Sequence, residues 1–195
     1  MWCCRGTRTL VMKISKNEIK REAKKRGLPL FGDFIVLLKN DDVVSGVALD
    51  GAPSSTYIWT FVLPMYDDLS FLHMTLGERV SRCSAEVDCL ALGLNEYHDK
   101  ISGIKSAKGI IEYIDKNSLN SEYAKWTRLI SAIRESDSEN SLLKENNTFQ
   151  SRAIFEKYSK LLSTYDAGGW AATQGLLDEW SIRTRSLLVD VPYNL

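Results

Sequence analysis

The sequence lacks most features that identify enzymes, secreted proteins or membrane proteins. Its longest apolar stretch, Tyr57 to Tyr66, is about half the length that a bilayer-spanning helix needs. The first residues lack the apolar segment of a signal peptide. Four prolines and twelve glycines among 195 residues exclude fibrous and linker-dominated chains. We therefore expect a soluble cytoplasmic protein that does not enter a membrane.

Cysteine and histidine are scarce as well. The four cysteines do not follow the regular spacing of a disulfide framework; they are Cys3, Cys4, Cys83 and Cys89. Structural zinc sites usually bring their ligands in close pairs, whereas five residues separate Cys83 from Cys89 and the two histidines are scattered. We expect buried free thiols and neither a metal nor another cofactor.

The chain does contain enough apolar residues to form a core, since 44% of its residues are hydrophobic and 10% are aromatic. A length of 195 residues favours one domain. We expect residues 12–195 to form a single α+β domain. The alternative is a sub-boundary near residue 84, between a β-rich part (12–83) and a helical part (84–195). Residues 1–11 match no structural element and predict a loose tail or a mis-assigned start.

The charges are distributed unevenly, although the formal net charge is zero. Residues 1–26 contain nine Lys or Arg and two Glu, so the remaining chain, with 16 bases and 23 acids, is net acidic. Such asymmetry indicates that one end of a chain attracts a polyanion, an acidic partner or the acidic surface of its own protein.

The clearest local pattern in the basic segment is a helix over Lys16–Arg26. Ser15 and Glu18 have the spacing of a capping box, and a glycine directly follows the helix. The apolar face is thin, because it contains only Ile19 and Ala23. Five basic residues cover the rest and are the predicted contacts to nucleic acid or to an acidic partner: Lys16, Lys20, Arg21, Lys24 and Lys25.

Three interpretations of this basic helix stay open. It could contact nucleic acid through phosphates, which would be nonspecific because no base-reading motif or interleaved aromatic residue accompanies it. It could bind an acidic protein partner. It could also lean on the acidic surface of its own chain, as charged helices often do without any function.

Strand patterns follow the basic helix. The apolar runs Phe34–Leu38 and Val43–Leu49 flank a polar turn and predict a β-hairpin. Thr56–Leu63 is rich in β-branched and aromatic residues and predicts a buried strand that ends at Pro64. Ser70–Leu76 predicts a further strand.

Helical periodicity replaces the strand pattern after residue 84. Two adjacent glycines, Gly168 and Gly169, are predicted to open the last helix. Four apolar sets each fall on one helix face: Ile101, Ile104, Ala107, Ile111 and Ile114; Tyr123, Trp126, Ile130 and Ile133; Phe155, Tyr158 and Leu162; and Leu177, Trp180, Thr184 and Leu187. The sequence therefore predicts the α+β class, with a small N-terminal β-sheet region that a basic helix precedes and a mostly helical C-terminal half.

One short segment, Phe71 to Gly77, is a candidate for chemistry. His73 and Thr75 are two residues apart, so on a strand they would point to the same face. Together they could hold a phosphate group, with His73 as an acid or base and the Thr75 hydroxyl as a hydrogen-bond donor.

The run His73-Met-Thr75-Leu76 resembles one half of the signature of the 2H phosphoesterase family. The preceding Phe61-Val-Leu-Pro-Met65 is similar to the strand that this family places near its start. The resemblance implies a second His-x-Thr/Ser motif facing the first across a cleft. The other histidine, His98, is followed by Asp99 and Lys100, so the second motif is absent.

A metal-dependent nuclease site is the other hydrolytic alternative. It would combine Asp67 or Asp68 with a Glu-x-Lys motif. Val80 stands where that lysine is needed after Glu78. The favoured interpretation is that the two aspartates belong to a turn, where aspartate is common. Glu78 and Arg79 are then exposed charged residues.

These observations together predict a non-catalytic interaction or accessory module. It would dock on a larger protein or nucleoprotein assembly, with the basic N-terminal helix as its electrostatic contact. A protein partner is expected, nucleic acid is an option through that helix, and a membrane is not expected. The alternative is a phosphoesterase-type hydrolase that uses His73 and Thr75 on a phosphate-containing substrate.

Overall fold

A computed structural model of the chain describes residues 14–52, 55–84, 87–136, 143 and 148–191. The predicted tail or mis-assigned start at residues 1–11 lies outside the described residues. One helix, five strands and four further helices follow one another in the described part, which confirms the predicted α+β class. Their bounds are α1 Lys16–Lys25, β1 Leu30–Phe31, β2 Phe34–Lys39, β3 Val43–Ala52, β4 Ser55–Pro64, β5 Arg79–Arg82, α2 Cys89–Lys100, α3 Ala107–Lys116, α4 Glu122–Glu135 and α5 Arg152–Leu187.

The strands form one antiparallel sheet in which each strand pairs with the next, in the order β1-β2-β3-β4-β5. The predicted hairpin is confirmed, since Phe34 pairs with Ala48 and Lys39 with Val44. The predicted buried strand is confirmed as β4, which pairs with β3 along its whole length. Connections between neighbours in sequence suffice to build this sheet, which is why local patterns predicted most of it.

The predicted strand at Ser70–Leu76 is wrong. Residues 65–78 connect β4 to β5 as an irregular loop, and the fifth strand is Arg79–Arg82 instead. Met65, Leu69 and Leu72 are buried, because they pack beneath one face of the sheet. These three residues therefore reach the core without joining the sheet, a packing that periodicity alone does not reveal.

Both faces of the central strands are covered. On one face, Ile35, Val47 and Ile58 pack with residues of α1, α2 and α3. On the other face, apolar side chains of the strands pack with the loop of residues 65–76 and with Leu188 and Val191 at the end of the chain's last helix. Strands buried on both sides have near-continuous apolar sequences rather than alternating ones.

The helical half forms a second apolar cluster around two tryptophans. Trp126 of α4 and Trp180 of α5 are fully buried, with ring centroids 6.1 Å apart. The predicted face of α4 is confirmed, since Trp126, Ile130 and Ile133 are buried. Phe155 departs from its predicted face, because its side chain is 54% exposed at the start of α5.

The last helix is kinked rather than opened by its glycine pair. Gly169 has φ 67° and ψ −156° inside α5, a conformation that only glycine adopts without strain. Helical turns precede and follow this residue, so the predicted break is present but joins two segments of one long element.

A buried lysine ties the sheet to the end of α5. Lys39 of β2 is 2% exposed, and its ammonium donates hydrogen bonds of 2.6 Å to the carbonyl oxygens of Leu188 and Val191. Burial, together with the nearby Arg185, lowers the pKa of Lys39. Within the described ranges, no helix combines the length and the apolar composition that crossing a membrane requires.

Candidate functional site

The predicted basic helix is present as α1, with both halves of its capping box. The backbone N–H of Glu18 bonds to the Ser15 hydroxyl, and the Glu18 carboxylate accepts the backbone N–H of Ser15 at 2.7 Å. Ile19 and Ala23 are the buried residues of this helix and face the sheet. The docked face is thus as narrow as the sequence indicated.

Two of the five predicted contact residues pair with an acid of their own chain. The ammonium groups of Lys16 and Lys20 lie 2.6 Å and 2.5 Å from the carboxylate of Asp33. Burial alone would raise the pKa of Asp33, but the hydrogen bonds from the two lysines lower it. At the other end of α1, Arg26 lies 2.8 Å from Asp88, which caps α2.

The other three predicted contact residues, Arg21, Lys24 and Lys25, are exposed. The Lys25 side chain is 68% exposed and lies 3.7 Å from Glu22. These three residues form the solvent-facing part of the basic helix, here called the α1 basic face.

The candidate residues His73 and Thr75 lie in the loop between β4 and β5, at the wall of a pocket of about 360 Å³. We call it the His73 pocket. The loop supplies one wall, and α4 and the first turn of α5 supply the other. Its described lining residues are Asp68, Leu69, Ser70, Phe71, His73, Thr75, Tyr123, Ser151, Ala153, Ile154 and Lys157.

The buried carboxylate of Asp67 holds these walls together. It accepts hydrogen bonds from the Tyr123 hydroxyl at 2.7 Å and from the Trp126 indole N–H at 2.5 Å, both on α4. Lys157 of α5 donates to the same carboxylate at 3.0 Å and also to the Asp67 backbone oxygen. A fully buried charge is tolerated only when it is paired and hydrogen-bonded in this way.

The His73 ring is fixed by two contacts. Its Nδ1 lies 3.0 Å from the Thr75 hydroxyl and 3.5 Å from the Thr75 backbone nitrogen, and its ring packs edge-on against Tyr123 with centroids 4.5 Å apart. A backbone N–H can only donate, so the longer contact favours Nδ1 as the acceptor. In the neutral ring the proton then resides on Nε2.

Electrostatics favour this neutral form. Burial lowers the pKa of His73; the carboxylate of Asp67 opposes this effect, and the ammonium of Lys157 adds to it. Nε2 makes no hydrogen bond to the described part of the chain. A lowered pKa keeps His73 neutral at pH 7, and the contacts of Nδ1 favour the tautomer with its proton on Nε2.

The first turn of α5 adds backbone donors. The leading N–H groups of a helix have no partner within it, and the Ser151 side chain makes no capping hydrogen bond. Glu122 accepts the backbone N–H groups of Gln150 and Ser151. Among the described residues, nothing accepts the N–H groups of Ala153 and Ile154, which lie at the pocket wall.

The other candidate residues lie apart from this arrangement. His98 is exposed on α2 beside Tyr97 and is absent from the described lining of the His73 pocket. Glu78 binds Lys100 at 2.8 Å, and the Arg79 guanidinium stacks over Tyr57. Asp68 has φ 47° and pairs with Arg183, as turn chemistry would suggest, whereas its neighbour Asp67 has the quite different role described above.

The described residues contain no group of three or more His, Cys, Asp or Glu side chains placed to hold a metal ion. Cys83 and Cys89 are buried free thiols, as the sequence predicted. Cys3 and Cys4 lie outside the described residues.

Sequence reasoning missed the partners of the His73–Thr75 pair. Tyr123, Ser151 and Lys157 follow Thr75 by about fifty to eighty residues and carry no motif. One signal was available for Asp67, which lies three positions after a buried strand and directly after Tyr66. An acidic residue that such a segment carries into the core needs hydrogen-bond partners there. Nothing in the sequence could assign that partner.

Comparison with known proteins gives no match: no family model, no curated protein and no solved structure is significantly similar to this chain.

Proposed function

We propose that this protein is a non-catalytic binding module whose ligand site is the His73 pocket. The ligand is a small molecule with an apolar or aromatic body and a carboxylate or phosphate group. The observation that carries this proposal is the His73 ring, which contacts Thr75 through Nδ1 and has no hydrogen-bond partner for Nε2 among the described residues.

The chemistry of the pocket favours hydrogen-bond acceptors on the ligand. His73 offers Nε2–H, and Lys157 uses two of its three N–H donors on Asp67, so one is left. The first turn of α5 adds backbone N–H groups, and the partial positive charge of a helix N-terminus favours an anion there. Carboxylate and phosphate oxygens are acceptors that match these donors.

Apolar residues shape the rest of the pocket. Leu69 and Ile154 are buried at its wall, and Phe71 is 67% exposed at its edge. Small-molecule sites commonly combine mostly apolar walls with a few fixed polar groups. A ring or short alkyl body on the ligand would therefore complete the fit.

The same geometry argues against the hydrolase alternative. A neutral histidine that carries its proton on Nε2 cannot accept a proton at that atom, so it lacks the general-base function. The second histidine, His98, is exposed on α2 and does not contribute to the described pocket lining. A single donor histidine suits binding better than a reaction that needs both an acid and a base.

A histidine-selective NMR titration tests this proposal, because the chain has two histidines and gives two ring signals. The probes are phenyl phosphate, benzoate and the neutral benzyl alcohol. We expect saturable shifts of the His73 signal with an anionic probe and weaker ones with benzyl alcohol. The matched variants are His73→Gln, which should lose binding, and His98→Gln, which should keep it.

The outcomes separate binding from catalysis. Binding of phenyl phosphate without release of phenol supports the module. Phenol release that His73→Gln abolishes would favour the hydrolase instead. If neither anion shifts the His73 signal saturably, the proposed ligand site is wrong.

A second candidate function is docking through the α1 basic face on nucleic acid or an acidic protein. The observation that favours it is the exposure of Arg21, Lys24 and Lys25 opposite the docked side of the helix. The pairing of Lys16 and Lys20 with Asp33 favours the remaining interpretation, in which the helix neutralises its own chain.

A salt series with fluorescent single- and double-stranded nucleic acids tests this candidate. Binding that weakens steeply with salt, and that the variant with Arg21, Lys24 and Lys25 all changed to Gln loses, would support phosphate contacts. A Lys16/Lys20→Gln variant is the matched control, because it removes two positive charges that already form ion pairs with Asp33. Binding that survives the triple change would contradict the candidate.

A further inference from the structure

Two cysteines that are six positions apart in the sequence meet in the core. Cys83 directly follows β5, and its backbone N–H donates to the Thr56 carbonyl oxygen at 2.8 Å. Cys89 is the first residue of α2. Their side chains are 3% and 2% exposed, and the two thiols share a hydrogen bond.

The pair is chemically asymmetric. The hydrogen bond from Cys83 lowers the pKa of Cys89, and the same bond raises the pKa of Cys83. The N-terminal position of Cys89 in α2 also favours a negative charge on its sulfur. Cys89 is thus the nucleophile, and Cys83 is its hydrogen-bond donor.

A small crevice leads to Cys89 between α1 and α2. It has a volume of about 60 Å³, and Cys89 lies in its wall together with Ile19, Glu22 and Asp88. The ion pair between Arg26 and Asp88 bridges the two helices beside it. Because α1 buries only two side chains and its ion pairs lie at the surface, local opening of α1 would give a small reagent a route to this sulfur.

We propose that Cys83 and Cys89 form a reversible dithiol–disulfide site that exchanges with low-molecular-weight disulfides. The Cys89 thiolate attacks one sulfur of the small disulfide, whose S–S bond breaks and releases one thiolate. Cys83 then loses its proton to solvent or to the released thiolate and attacks the Cys89 sulfur, which expels the second thiolate. The protein loses two electrons and two protons, and the small disulfide becomes two thiols.

This site is independent of the His73 pocket. Its residues belong to the apolar cluster beneath α1 and α2, whereas the His73 pocket lies between the loop of residues 65–76, α4 and α5. Oxidation would fix the start of α2 to the end of β5, next to the helix that carries the basic face.

The test uses the full chain with Cys3→Ser and Cys4→Ser, so that one thiol pair remains. The folded protein is equilibrated with glutathione buffers of decreasing reduced-to-oxidised ratio and analysed by intact mass and by alkylation. We expect a mass loss of two hydrogens with both thiols protected from alkylation, and full reversal by dithiothreitol. The rate of oxidation should rise with pH, because the attacking species is the Cys89 thiolate.

Single variants identify the roles of the two sulfurs. In the same background, the Cys83→Ser variant should stop at a mixed disulfide that carries one glutathione on Cys89. In the Cys89→Ser variant, the Cys83 thiol should react more slowly with oxidised glutathione. Two thiols that stay fully alkylatable after equilibration with oxidised glutathione would overturn the proposal, as would a lasting mixed disulfide when both cysteines are present. These last two readouts need no variant at Cys83 or Cys89, so they hold even if the single variants misfold.

Discussion

At the scale of single residues, Asp67 decides the shape of the candidate site. It is completely buried, and its carboxylate binds a tyrosine and a tryptophan of α4 and a lysine of α5. One side chain therefore fixes the loop that carries His73 against both helices. Its charge matters as much as its shape, because Lys157 would otherwise be an unpaired cation at the pocket wall.

We expect Asp67→Asn to destabilise the protein by about 2–3 kcal/mol, measured as the loss in the free energy of unfolding by urea. Breaking a buried ion pair costs about 3–5 kcal/mol, and the 24% exposure of the Lys157 side chain reduces this cost. The matched control is Asp68→Asn, which keeps φ 47° accessible and removes a half-exposed pair with Arg183. That change should cost under about 1 kcal/mol. Equal losses for the two variants would contradict the role assigned to Asp67.

His73 should make the stability of the protein depend on pH below about 6.5. Its pKa is lowered in the folded state, so the unfolded chain binds more protons between the folded and unfolded pKa values. Stability should thus fall as the pH falls through this window. Burial is the largest cause of the lowered pKa, the charge of Asp67 opposes it, and the charge of Lys157 adds to it.

Urea unfolding between pH 7 and pH 5 measures this dependence. His73→Gln should flatten it, and His98→Gln, an exposed change on α2, should leave it unaltered. A dependence that is unchanged in His73→Gln would show that the ring is not held in its neutral form by the fold.

At the scale of elements, the kink in α5 allows the two halves of one long helix to pack against different parts of the molecule. Its first half lines the His73 pocket, and its second half packs through Trp180 and ends at the carbonyls that Lys39 caps. Gly169 makes the change of direction possible, since no other residue adopts its backbone angles without strain.

Gly169→Ala should destabilise the protein by roughly 1–3 kcal/mol, because alanine at φ 67° is strained. Gly175→Ala is the control within the same helix: nothing lies near its added Cβ, and its backbone is helical. That change should stabilise by roughly 0.5–1 kcal/mol, since glycine is a poor helix residue. Thermal or urea unfolding of both variants checks the opposite signs, and a gain in stability for Gly169→Ala would refute the kink.

Elements stabilised by nearby residues were predictable from the sequence. The capping box of α1 depends on residues three apart, and the β2–β3 hairpin depends on a short polar turn. The irregular path of Ser70–Leu76 was not predictable, because Leu72 and Leu76 are buried in the clusters on opposite faces of the sheet while Phe71 is exposed. The candidate site was the least predictable part of the molecule. His73 and Thr75 could be selected from the sequence, but Lys157 and Tyr123 join them only in the folded chain.

At the scale of the whole molecule, contacts distant in sequence join the β-rich part to the helical part. Lys39 reaches the end of α5, and Asp67 reaches α4 and the start of α5. The His73 pocket lies where these parts meet, and pockets at such junctions are common ligand sites. The α1 basic face and the Cys83–Cys89 pair lie on the α1 and α2 side of the sheet.

The central claim is that His73 offers a neutral Nε2–H donor to an acceptor group of a small ligand. The most direct measurement is the ring ¹⁵N NMR spectrum of His73 at pH 7, recorded before and after addition of phenyl phosphate. We expect a protonated Nε2 and an unprotonated Nδ1 in the free protein, and a saturable change at Nε2 with the probe. A doubly protonated ring, the opposite tautomer, or a spectrum that phenyl phosphate and benzoate both leave unchanged would contradict the account.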